Sequence, residues 1–325
     1  MPTSYRKHAA LIFLLLLLAD CKIFSQINNQ HTSIFQRIGP GGGGATFLPT
    51  FSYHSPNNFF IRCDMTGSYL TNDGGESYLQ FNFDNGAASY AFDPHNAQII
   101  YAGSVVLNRS IDGSKTWQQV FPKASEISSA KYRGDHAEYE IETASTSLYE
   151  AEYSQIKNIK VDPTESNTVY FSMGNYFFYT ADDCNTFQRL QLYETIDCIY
   201  TSKAFKDEVY ICTASAIHIF NKHSHIIQQR ELPEKMSPAF SFCGGTKRNS
   251  NKLVLYALHY TNDAPILNQY NHSEVWTSDD NGNTWHRLTD SLLTGNHQSL
   301  PNFSRIVCAE FDAASVYLIS DLYEE

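Results

Sequence analysis

The chain has 325 residues, a formal net charge of −11 and 14% aromatic residues. An acidic balance of that size disfavours a nucleic-acid or anionic-membrane partner, since like charge repels phosphate. The length and apolar content are enough to bury a large core, and no Pro-rich or charged linker divides it, so residues 26–325 read as one domain.

In chain order the first segment is an address. Arg6, Lys7 and His8 make a basic start, Ala9–Ala19 an apolar run too short to span a bilayer, and Ile23, Phe24 and Ser25 a cleavage site. Residues 1–25 therefore read as a signal peptide, and the protein is expected to be secreted or extracytoplasmic. A second reading anchors it as a lipoprotein at Cys21, although Asp20 stands where a small residue is usual. Losing Arg6, Lys7, Lys22 and Asp20 takes the formal charge from −11 to −13.

From Gly44 on, short β-branched and aromatic runs alternate with Gly, Asn, Asp and Pro, as strands joined by turns do. The first unit spans Gly44–Phe83, and the second carries strands over Ala88–Phe92, Gln98–Ala102 and Val105–Ser110. The third repeats that order from Ile156 through Thr180. A fourth spans Thr195–Leu232 and a fifth Ala239–Leu288, after which FSRIVCAEFD and SVYLISD read as the first two strands of a sixth.

Units one, two, three and five each carry a related octapeptide: TNDGGESY from Thr71, SIDGSKTW from Ser110, TADDCNTF from Thr180 and SDDNGNTW from Ser278. All fit S/T-x-D-x-x-x-S/T-aromatic. The carboxylates of Asp73, Asp112, Asp182 and Asp280 are suited to gather backbone N–H groups in a tight turn, with Trp117, Phe187 and Trp285 turned inward. Radially repeated four-stranded units of about 40 residues make an all-β propeller. About five and a half blades are expected, an incomplete ring that reads as part of a longer chain with further domains as candidate partners, the alternative being a complete five-bladed ring with a C-terminal extension.

The octapeptide resembles the Asp-box, or BNR repeat, of sialidases, sortilin and tandem-propeller xyloglucanases, which implies that the four aspartates are structural. Alternation of strands puts these turns on one face of the ring. Two long insertions, Pro122–Tyr153 and His259–His272, fall on the other, as do IGPGGGGATF at Ile38–Phe47 and the strand end IRCDMTGSY at Ile61–Tyr69. This Gly-rich run, strand and Arg-x-Asp segment together resemble the N-terminal propeller of the xyloglucanase-type glycoside hydrolases, with Thr66 where Gly is usual. The resemblance implies an inverting hydrolase acting on β-glucan-type polysaccharide through two carboxylates, one of them Asp64 and the other outside this propeller. Arg62, Tyr69, His136, Tyr139 and His259 are the candidate substrate-binding residues. The alternative is a non-catalytic propeller that binds glycans or proteins, as sortilin-type domains do.

No cofactor or metal is expected. The Gly run lacks the Lys-Ser/Thr of a phosphate loop, there is no H-E-x-x-H, and the six cysteines after Cys21 make no C-x-x-C. Cys198 and Cys212, flanking one turn, are the pair best spaced for a disulfide, with buried thiols as the other outcome.

Overall fold

The structure, a computed structural model, describes residues 46–64, 67–84, 86–133, 138–152, 155–233, 239–261, 272–289 and 303–319. Strands β1 (Thr46–Phe51), β2 (Phe59–Cys63), β3 (Gly67–Thr71) and β4 (Leu79–Asn82) form one antiparallel sheet in chain order. The next comprises β5 (Ser89–Phe92), β6 (Ile100–Gly103), β7 (Leu107–Ser110) and β8 (Gln118–Phe121). A two-stranded hairpin, β9 (Ile127–Arg133) and β10 (Glu138–Thr143), interrupts the series.

The third sheet is β11 (Lys157–Val161), β12 (Val169–Met173), β13 (Tyr176–Thr180) and β14 (Gln188–Gln191). The fourth is β15 (Ile196–Thr201), β16 (Glu208–Thr213), β17 (Ala216–Asn221) and β18 (Ile227–Glu231). The fifth is β19 (Ala239–Thr246), β20 (Leu253–Thr261), β21 (His272–Ser278) and β22 (His286–Arg287). A sixth sheet has β23 (Arg305–Ala309) and β24 (Asp312–Ile319) among the described residues. Each first strand packs beside the first strand of the next sheet, so the five four-stranded units are blades of a β-propeller.

Middle strands explain why the units pack. β6, β12, β13, β16 and β17 are buried on both sides and carry near-continuous apolar runs, such as VYFSM and YFFYT. Outer strands such as β4 and β18 alternate and stay wet. The core is divided into clusters lying between neighbouring blades. Phe60 of the first blade stacks on Tyr90 of the second at 4.6 Å, Phe121 of the second meets Phe171 of the third at 5.3 Å, and Phe177 of the third meets Phe220 of the fourth at 5.3 Å. Tyr210 and Ile217 share a further cluster with Phe242, Leu255 and Trp285 of the fifth.

The octapeptides share one hydrogen-bond scheme. The leading hydroxyl of Thr71, Ser110, Thr180 or Ser278 donates to the aspartate two residues on, at 2.7–2.9 Å. That aspartate accepts the N–H of the Ser or Thr four residues later at 2.9 Å and also its hydroxyl. Two consecutive positive-φ residues turn the chain between them. In the third turn these are Asp183 and Cys184, where no glycine relieves the left-handed backbone, and Arg109 of the neighbouring blade pairs with Asp183 across the gap. The fourth blade lacks the octapeptide, and Asn221 closes its β17–β18 turn by accepting the N–H groups of His223 and Ser224.

A second turn device has no counterpart in the sequence reading. Asp93 and Asp162, both buried, close the turns between first and second strands by accepting N–H groups two and three residues on. Asp162 also takes the hydroxyl of Tyr170 and the ammonium of Lys222 from the next blade.

The six described cysteines are free thiols. Cys198 does stand opposite Cys212 in the β15–β16 ladder, and of the two outcomes left open the structure has the free thiols. Each thiol instead meets a backbone carbonyl, Phe242 and Thr213 respectively.

The hydroxyl of Thr116, then its N–H, holds Asp112 down at about 2, and Thr284 does the same for Asp280. Carboxylates depressed on folding contribute stability that is complete above the ordinary pKa near 4 and lost as pH falls through about 2. Replacing both Asp112 and Asp280 by Asn should therefore flatten the pH dependence of the urea midpoint between pH 4 and 2, relative to the parent protein. Trp285 is 8% exposed within the fourth and fifth blades' shared cluster. Trp285→Ala should cost about 3 to 5 kcal/mol by denaturant unfolding, the range for truncating a core aromatic.

Candidate functional site

The face opposite the octapeptide turns collects the turns between second and third strands and the links from one blade to the next. Asp64 follows β2 in such a turn; it is exposed and makes no ion pair or hydrogen bond among the described residues. Arg62, two residues earlier and half-buried, donates to the Ala87 carbonyl at 2.9 Å and so ties the first blade to the link entering the second. Its strand partner Ser68 accepts the buried Tyr90 hydroxyl, whose pKa burial pushes up to about 12.

Tyr69 lies on β3, half-buried, edge-on to Tyr78 at 6.4 Å, its pKa raised by burial and then by Cys63. The β9–β10 hairpin presents Tyr132 and Tyr139 as a ring pair 4.7 Å apart, and the Tyr132 hydroxyl donates to Asp84 at 2.9 Å in the link after the first blade. The described contacts thus tie the insertion to Asp84. His136 and the Gly39–Gly44 run lie outside the described residues.

His259 is a correction to the expected binding set. It is 3% exposed inside the fifth blade, with Nε2 3.2 Å from Glu274, which also accepts Trp276 Nε1 and pairs with Arg287. The long β20–β21 ladder carries it inward opposite Glu274, so it belongs to an interior network.

The first strands enclose a cavity on the ring axis that the sequence reading did not foresee. A cavity of about 480 Å³ is lined by the first strands of all six sheets, including Lys157, Asn158, Lys160, Asp197, Ser241 and Arg305. Lys157 and Lys160 are three residues apart, which in a regular strand sets them on opposite faces. A bulge intervenes, with Asn158 at φ 55°, and both lysines reach the cavity. β1, β15 and β19 carry bulges at related places, the one in β15 at Asp197. Hydrogen bonds stitch the blades here: Ile159 N–H donates to Ser89 Oγ and Ile306 N–H to Ser241 Oγ, both at 3.1 Å.

Asp197 is crowded by the channel walls and lies near Glu194. These two effects, in that order, raise its pKa to about 6 against the pull of Lys157. Desolvation works against the charged form of Glu194, yet its pKa is lowered because hydrogen bonds from Ser215 and Thr213 and the nearby His218 together outweigh it. Among the described residues no three His, Cys, Asp or Glu side chains gather as a metal would require, and no helix is long and apolar enough to cross a membrane.

No family model matches the chain, and no curated protein matches it in sequence. Among solved structures, an ancestral GH74 enzyme superposes with a TM-score of 0.62 at 16% identity, over 88% of this chain and 36% of that one. The GH74 enzyme of Niastella koreensis does so with a TM-score of 0.59 at 14% identity, over 85% of this chain and 44% of that one. The likeness is one of fold, and this chain spans less than half the length of either enzyme.

A carboxylate whose pKa rises on folding keeps its proton longer in the native state, so Asp197 lowers stability as pH climbs from about 4 through about 6. Asp197→Asn should match the parent protein at pH 4 and exceed it at pH 7.5 by about 1 to 2 kcal/mol in urea unfolding, the shift being discounted for the solvent the channel admits.

Proposed function

We propose that the chain is an Asp-box propeller of the glycoside-hydrolase type that binds β-glucan-like polysaccharide on the face opposite its octapeptide turns, with Asp64 as one of two catalytic carboxylates. The observation that carries this reading is the state of Asp64. A structural aspartate at a strand end is expected to be buried against backbone donors, as Asp93 and Asp162 are, whereas Asp64 is exposed and unpaired among the described residues. The shared fold with GH74 enzymes supports it, as does the resemblance of the segment Arg62, Asp64 and Tyr69 to the xyloglucanase-type sequence pattern. Arg62 fixes the strand end that bears Asp64, and the exposed Tyr132 ring with half-buried Tyr139 offers apolar faces on which sugar rings stack.

In an inverting reaction one carboxylic acid protonates the departing glycosidic oxygen while the other carboxylate draws a proton from water attacking across the ring. Asp64 supplies one of these roles, and its partner comes from outside this propeller. A binding role without catalysis is the second reading. It is favoured by Asp84, an acid on the same face that is already engaged by the Tyr132 hydroxyl.

The test uses the full-length protein, assayed for release of reducing ends from xyloglucan and mixed-linkage β-glucan and, by affinity electrophoresis, for retention on each. Asp64→Asn should lower turnover at least about 100-fold with retention intact, because the amide keeps the shape and loses the proton exchange. Tyr132→Ala should weaken retention. Retention without hydrolysis in the parent protein would leave the binding reading, and neither retention nor hydrolysis would sink both.

A further inference from the structure

The protein is acidic, yet the cavity on its axis reverses that sign. Its charged lining is Lys157, Lys160 and Arg305 against the single carboxylate of Asp197. None of the three cations makes an ion pair or side-chain hydrogen bond among the described residues. Lys157 is exposed and Lys160 and Arg305 are half-buried, so water solvates them in the free protein; gathered in a concavity, they concentrate their field where an anion can replace that water.

Neutral donors add to the set. Ser89 and Ser241 each accept a backbone N–H from the following blade, which leaves their own O–H groups to donate. The lining is therefore rich in donors from several blades at once. A volume of about 480 Å³ exceeds what a bare inorganic ion fills and lies within the range of small-ligand pockets.

We propose that the axial cavity is a binding site for an acidic sugar, in which Lys157, Lys160 and Arg305 hold the sugar's carboxylate or sulfate and the serine hydroxyls of Ser89 and Ser241 donate to its ring oxygens. Asp197 lies near Lys157, which favours its charged form, and so competes with the ligand for that cation. The site stands on the channel's own geometry. It adds an acidic residue to the glycans of the preceding reading without depending on hydrolysis, and loss of hydrolytic activity would leave it untouched.

Isothermal titration of the full chain with glucuronate, glucose and sodium sulfate, at ionic strength held constant with sodium chloride, tests it. Glucuronate should bind at least about tenfold more tightly than glucose, and more tightly than sulfate. Lys157→Gln and Arg305→Gln should each weaken glucuronate about tenfold or more, while Lys206→Gln, an exposed lysine in the β15–β16 turn on the opposite face, should change nothing. Asp197→Asn should tighten binding, a gain that misfolding cannot produce. Glucuronate no tighter than glucose, or indifference to Lys157 and Arg305, overturns the proposal; sulfate binding as tightly as glucuronate overturns the sugar and leaves a site for a free oxyanion.

Discussion

The face-to-face packing of neighbouring blades is the interaction on which the rest depends. Each four-stranded sheet is too small to bury its middle strands alone, and Phe60 on Tyr90, Phe121 on Phe171 and Phe177 on Phe220 remove apolar surface from water only because the next blade is present. Stability is thus shared between adjacent units. Polar links cross the same gaps, as when Lys222 of the fourth blade reaches Asp162 of the third, or Arg109 holds the strained turn at Asp183.

Packing of this kind leaves function to strand ends and the axis. Middle strands have both faces covered, so a side chain meets a ligand only from a turn, a link or a first strand. On one face the turns are consumed by the octapeptide network, whose aspartates spend their acceptors on hydroxyl and amide donors within the turn. The other face carries Asp64 and the Tyr132–Tyr139 pair, and the axis carries the bulged first strands. The GH74 enzymes share this fold at 14–16% identity, and blade packing asks for residue type and spacing rather than for particular residues.

Legibility followed the range of the interaction. Strands of the second blade lie within two residues of the expected runs, and the four octapeptide turns adopt one geometry, because hairpins and side-chain-to-backbone turns are made by residues close in sequence. The fourth blade could be placed by periodicity alone, its turn resting on Asn221. His259 was misread for the opposite reason. A histidine beside a long insertion resembles a surface ligand until Glu274, fifteen residues on, is seen to meet it across the ladder. Cys198 and Cys212 were correctly aligned as partners across a turn, but alignment in a ladder does not make a disulfide.

By itself the sequence determined an all-β architecture of repeated four-stranded units, the turns that close them, and the strand end on which Asp64 sits. All of these rest on alternation, turn chemistry and spacing, which act over a few residues. The tertiary structure alone decided what lies on the axis. Lys157, Asp197 and Arg305 are spread over some 150 residues of chain, and they converge because six first strands converge, with bulges turning side chains that a regular strand would send to opposite faces. A register shift of one residue leaves almost no mark in composition, yet it decides which side chains a ligand can reach.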